Sequence, residues 1–173
     1  MMFKRLGPLV SLITVVMLFL FVATPPVFAA TTADVTVNAT PAYVSISVSP
    51  IYYGFGTVAV SANYSTSQGY FTVTNGSSVL TNCTVGTNAT TWAGGITWTH
   101  SDTGTPGVDT AALYASANTG GFDIIVKYSS PNNLVTNQSA TTNWQWELRL
   151  MSPTELNDGV LKAIKVRLTA SAS

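Results

Sequence analysis

Apolar and polar residues alternate with a period of two through most of the chain beyond residue 30. Val44, Ile46 and Val48 alternate with Ser45, Ser47 and Ser49, and Phe71 and Val73 alternate with Thr72 and Thr74. Val79, Cys83 and Val85 share one face, with Asn82 and Thr84 on the other. Ile96 and Trp98 repeat the pattern. So do Phe122, Ile124, Val126 and Tyr128, then Trp144, Trp146, Leu148 and Leu150, and finally Ile164, Val166 and Leu168. Each run predicts a half-buried strand. Asn75-Gly76 between two runs predicts a tight hairpin turn. Gly94-Gly95, Gly104 to Gly107, Gly120-Gly121, Pro131-Asn132-Asn133 and Asn157-Asp158-Gly159 mark further turns. Pro153 to Leu156 reads as one short turn of helix. The expected fold is all-β, an antiparallel two-sheet β-sandwich of jelly-roll or Ig-like type over residues 41–173.

The first 29 residues break this pattern. Lys4 and Arg5 precede an uncharged apolar run from Leu9 to Ala23; Pro25-Pro26 ends it, and Val27-Phe28-Ala29 presents small residues at a cleavage spacing. This predicts a signal peptide over 1–29, with a hydrophobic helix of about 15 residues that is short for a bilayer span. The rival reading is a type IV pilin leader cut after Gly7, which Pro8 opposes. Export implies a secreted, extracellular or cell-surface protein that meets the membrane only through its leader.

Cleavage after Ala29 or Ala30 frees an N-terminal strand and hinge, residues 30–40. Val35 and Val37 alternate there with Thr36 and Asn38, and Thr40-Pro41 separates them from the next run. Such a strand either folds back on its own sheet or adds to the sheet edge of a neighbour.

Charge is sparse. After the leader five basic and seven acidic residues leave a net charge of −2, with no basic patch for nucleic acid. The single cysteine, Cys83, rules out an intrachain disulfide and reads as a small core residue. His100 is the only histidine and reads as a strand-end residue, so neither a zinc site nor a Ser-based triad is expected. No cofactor and no catalytic residue are assigned. Asp102 and Asp109 flank a Gly/Pro loop and form a weak calcium candidate, short of the six to eight oxygens the ion takes. Glu147 and Glu155 are a nominal carboxylate pair for sugar hydrolysis, but Glu147 reads as the solvent face of a strand.

Six asparagines fit Asn-x-Ser/Thr: Asn38, Asn63, Asn75, Asn82, Asn88 and Asn137. Chance would give about three at this composition, so N-glycosylation is expected in a host with the machinery. Trp98, Trp144 and Trp146 lie on the apolar faces of their runs and read as core. Trp92 with Tyr52 or Tyr53 is left as a possible sugar-binding platform.

The stretch V-S-I-S-V-S-P-I-Y-Y-G-F-G-T-V over 44–58, then Y-F-T-V-T-N over 70–75 and W-E-L-R-L-M-S-P with I-K-V-R-L-T-A between 146 and 170, resembles secreted TasA/camelysin-type biofilm-fibre subunits and archaeal bundling pili. The resemblance implies a jelly-roll subunit that polymerises with copies of itself by lending its N-terminal strand, with Val35 and Val37 as donor residues. The chain lacks a His-Glu-x-x-His motif, so no protease activity carries over. A non-enzymatic fibre, pilus or surface-layer subunit is the expected function. A carbohydrate- or surface-binding module acting on cell-surface glycans is the alternative, and a secreted hydrolase comes third.

Overall fold

The computed structural model describes residues 36, 38–118 and 121–173, so the leader and the donor residues Val35 and Val37 lie outside the described residues. Eleven strands occur between Thr40 and Ser173, and no helix occurs among the described residues. They are β1 (Ile46–Ser49), β2 (Asn63–Ser65), β3 (Phe71–Asn75), β4 (Thr81–Thr87), β5 (Thr91–Trp92), β6 (Trp98–His100), β7 (Thr110–Ala117), β8 (Ile124–Ile125), β9 (Asn132–Gln138), β10 (Asn143–Met151) and β11 (Val166–Ala172). An eight-stranded curled sheet runs in the order β1-β3-β10-β7-β6-β5, with β2 also pairing β10 and β8 pairing β7; a second sheet is β11-β4-β9. All pairings are antiparallel except β6 with β7.

One core joins the two sheets. The large sheet contributes Phe71, Val73, Leu113, Ala115, Trp144, Trp146, Leu148 and Leu150, and the small sheet contributes Cys83, Val85, Leu134 and Val135. Phe71 stacks on Trp146 with ring centroids 4.7 Å apart. Each large side chain buried this way contributes roughly 1.5–3 kcal/mol relative to leaving it in water. Burial of both faces explains β7, whose sequence T-A-A-L-Y-A-S-A shows no simple alternation: its small residues let the 102–108 loop lie over the outer face, where Tyr114 donates its hydroxyl to the Gly104 carbonyl.

The expected hairpin at Asn75-Gly76 does not form. β3 ends at Asn75, and the chain crosses to the other sheet before β4 starts at Thr81. Asn75 is 1% exposed and ties the crossing together. Its Nδ2 donates to Thr81 Oγ1 at 3.1 Å and to the Ser139 carbonyl at 3.0 Å, and its Oδ1 accepts the Ser77 N–H at 3.0 Å. These bonds satisfy the buried amide, which is what makes its burial tolerable.

Three further expectations are corrected. Pro153 to Leu156 is extended rather than helical: Thr154 N–H donates to the Gly107 carbonyl, and Glu155 bridges Val108. Phe122 to Tyr128 forms only the two-residue β8, with Val126 in the core and Tyr128 46% exposed. Pro131-Asn132-Asn133 is not a free turn, because β9 starts at Asn132.

Lys162 closes the curled end of the large sheet. Its Nζ donates to the carbonyls of Gly94 and Ile96, both at 2.6 Å, and pairs with the Asp158 carboxylate at 2.7 Å. Gly94 has φ +113°, and a Cβ there would stand 2.1 Å from the Leu161 carbonyl, so only glycine lets the two loops meet.

Asn75→Ala leaves buried donors and acceptors unmatched at the crossing. It is expected to lower unfolding free energy by about 2–3 kcal/mol, read by urea denaturation followed through tryptophan fluorescence.

Candidate functional site

Two of the five crossings between sheets meet at one residue. β3 joins β4 through residues 75–81, and β9 joins β10 through residues 139–142. Asn75 touches both connections, since its N–H donates to the Thr142 carbonyl and its side chain to Ser139. The end of β3 is thereby held to the start of β4 and to the β9–β10 link, while β9 itself passes close to β7 and β8. The strands beyond β3 and β4, namely β1 and β11, then lie along the same margin. Their ladders continue onto the crossing itself: Ser78 N–H donates to Tyr43, Gly76 N–H to Ser45, and Ser173 N–H to Leu80.

The opposite margin is bridged. β8 pairs β7, Asn132 donates its side-chain amide to the Ile125 carbonyl at 2.7 Å, and Gly86 bridges Lys127. On the β1/β11 margin neither strand has a second neighbour among the described residues. Burial follows this difference. Phe71 and Val73 on β3, and Cys83 and Val85 on β4, are buried, whereas Ile46 and Val48 on β1, and Val166, Leu168 and Ala170 on β11, are only half-buried against the same core. β1 reads I-S-V-S and holds no charge, and β11 holds only Arg167. Charged residues and proline are the usual guards of a free edge, and this margin has almost none.

The other candidate residues are placed elsewhere. Asp102 accepts the N–H groups of Tyr128 at 2.6 Å and Ser129 at 3.0 Å, whereas Asp109 accepts the N–H and side-chain amide of Asn157. The two carboxylates thus pin different loops. Among the described residues no group of three or more His, Cys, Asp or Glu is gathered for a metal. Partial burial raises the Asp102 carboxyl. The Ser129 hydroxyl, the Tyr128 and Ser129 amides and the nearby His100 together outweigh it and hold the group below the usual carboxylate range. His100 is 5% exposed, and its Nε2 donates to the Val126 carbonyl at 2.6 Å, tying β6 to the chain beyond β8. Cys83 is fully buried, and burial pushes its thiol pKa up, which suits an inert core residue and not a link between chains.

Glu147 is not solvent-facing as its alternation predicts. It is 5% exposed, on the outer face of β10 opposite Ser116. Its neighbour Arg149 lies 4.6 Å from the Phe122 ring and 5.5 Å from the Tyr114 ring, and donates to the Phe122 carbonyl. Glu155 is exposed, beyond the end of β10. Trp92 is 7% exposed and packs on Trp98 with centroids 6.0 Å apart, and Tyr53 packs among Phe55, Tyr70 and Phe71. Only Tyr52 of the expected sugar platform is freely exposed.

The sequons divide. Asn38, Asn63, Asn88 and Asn137 are exposed. Asn82 is half-buried, and its Oδ1 accepts the Asn137 N–H at 2.9 Å. Asn75 is buried with its Nδ2 committed twice, so this packing leaves no room for a glycan there.

Comparison with protein-family models, with characterised proteins and with solved structures gives no match.

In a glycosylating host, peptide mapping of the folded, secreted chain should find glycans only among Asn38, Asn63, Asn82, Asn88 and Asn137, with Asn75 bare. A glycan on Asn75 in the native fold would contradict the packing described. Acid stability gives a separate readout. A carboxyl with a depressed folded pKa adds stability that is full above its unfolded value near about 3.9 and is lost as pH falls through the folded value. Asp102→Asn should therefore flatten the loss of thermal stability below about pH 4, while lowering stability at neutral pH.

Proposed function

We propose that this chain is a non-enzymatic, secreted structural protein whose copies assemble into an extracellular fibre or surface layer by β-strand addition. The two sheets are read as a β-sandwich of jelly-roll or Ig-like type with one unfinished margin. The single observation that carries the reading is that margin: β1 and β11 both end their sheets there, and their inward aliphatics remain half-exposed over a core that is closed on its other side.

The occupant is residues 31–38 of another copy. Eight extended residues span about 26 Å, and the seven residues of β11 span about 23 Å, so the lengths match. Val35 and Val37, with Ala33, alternate with polar residues, as a strand needs if one face is to meet Val166 and Leu168 while the other meets water. Pairing to β11 would satisfy N–H and C=O groups that otherwise bond to solvent. The leader would keep the segment covalently occupied until export, so cleavage near Ala29 couples release from the membrane to assembly competence.

A chain lacking residues 31–38 should remain folded, because every strand among the described residues lies within Thr40–Ser173, and should form no filaments by negative-stain electron microscopy. The double substitution Val35→Asp, Val37→Asp should have the same effect, and a synthetic 31–38 peptide should bind the truncated chain. Filaments from the truncated protein would refute the mechanism.

A further inference from the structure

A recess of about 460 Å³ opens near the end of β4, within the size range of small-molecule sites. It lies on the outer face of the small sheet, because Arg167 and Thr169 are the exposed members of β11 while Val166, Leu168 and Ala170 turn to the core. Its lining includes Thr87, Asn88, Tyr128 and Ser129. Gly86 lets the 127–131 segment pack closely against β4: a Cβ there would stand 2.7 Å from the Lys127 carbonyl and 3.0 Å from Pro131.

The chemistry of this lining is selective. Arg167 is one of five cations after the leader, and among the described residues no carboxylate pairs with it. Its fork of N–H donors matches a carboxylate better than any neutral group. Around it stand the Thr169 hydroxyl and the Asn88 amide, with the Thr87 and Ser129 hydroxyls, which donate to the Ala89 carbonyl and to Asp102, left as acceptors for a polyhydroxylated ligand. Tyr128 is 46% exposed and offers an aromatic face to the apolar side of a sugar ring. The lining is held in place before any ligand arrives. Asp102 accepts both the Tyr128 and Ser129 N–H groups, the Lys127 carbonyl accepts the Thr87 N–H at 3.0 Å, and the Lys165 carbonyl accepts that of Asn88 at 3.2 Å. Fixing a binding loop in advance lowers the ordering cost of association.

We propose that this recess binds a carboxylated sugar unit, with Arg167 on the carboxylate and Tyr128 under the ring. The site shares β11 with the open margin but uses that strand's outward side chains and not its edge, so it does not depend on polymerisation. Two sources share the chemistry: an acidic polysaccharide outside the cell, or an acidic glycan carried on Asn88 at the rim.

The test uses the whole exported chain from a host without N-glycosylation, titrated with oligogalacturonate and with neutral oligoglucose and followed by amide NMR. Oligogalacturonate should move resonances of residues 86–88, 128–131 and 167–169, and oligoglucose should bind at least about tenfold more weakly. Arg167→Ala and the longer neutral Arg167→Gln should each weaken acidic-sugar binding by about ten- to hundredfold with unchanged thermal midpoints. Equal binding of both sugars, equal binding of simple acetate, or an unaffected Arg167→Gln would overturn the assignment. Material from a glycosylating host separates the sources: if the Asn88 glycan is the ligand, that chain binds added oligogalacturonate only after Asn88→Gln, whereas a free polysaccharide binds it without that change.

Discussion

Much of this architecture depends on one buried amide. A chain that leaves one sheet and enters the other must carry its backbone across the core boundary, where polar groups have no water. Asn75 supplies three hydrogen bonds at that point, to Thr81, Ser77 and Ser139. Two of them join the start of β4 and the β9–β10 link to the end of β3. The approach of β4 and of the β9–β10 link to the end of β3 follows from this knot. β1 and β11 lie beyond β3 and β4, and their ladders run onto the same β3–β4 link. A leucine could fill the same volume, but it could not fix which connection lies against which; the directional bonds do that.

The asymmetry between the margins follows. On one side β7, β8 and the start of β9 carry the chain from sheet to sheet and bring hydrogen bonds with them. On the other, the sheets end in a short uncharged strand and a seven-residue strand with one cation. Edges with a single charge and no proline within their strands are a liability in a protein that stays monomeric. Their persistence is consistent with a chain whose edges are meant to be paired by another copy.

Legibility in the sequence tracked burial on a single face. β1, β3, β4, β10 and β11 alternate cleanly because one side of each meets the core and the other is less buried or meets solvent, and all five could be read directly. β7 could not, because it is buried on both faces and built from alanines whose small size matters more than their polarity. β9 was hidden behind Pro131-Asn132-Asn133, a turn signal whose second residue already begins a strand and whose side chain bonds Ile125. Asn75-Gly76 misled for a related reason: the dipeptide favours a local turn, but the partner strands are β1 and β10, far away in sequence. Glu147 went wrong because alternation tells which face a residue takes and not whether a loop or a neighbouring strand covers that face; Trp92 stood outside any alternating run, and only its packing on Trp98 shows that it is buried. For the candidate site, the alternation of Val35 and Val37 behind a proline was visible from the start. The edge that could receive them was not, since it is defined only by how distant segments cross.

The margin and the recess bear on each other through geometry. Arg167 and Thr169 point outward from β11, and the inward residues of the same strand face the core. A strand added along β11 extends the sheet in its own plane, beside the recess and not across it. Assembly of this kind would therefore leave one recess exposed on every copy, repeated at the spacing of the subunits. Single sites for a sugar unit are shallow, polar and weak. Arrayed along the proposed fibre they would engage successive units of one polysaccharide chain, and each engagement would raise the effective concentration of the next. On that proposal, weak recognition by the monomer and firm attachment by the polymer would be two readings of the same side chains, and a weakly binding monomer would reach the growing end without being trapped on the way.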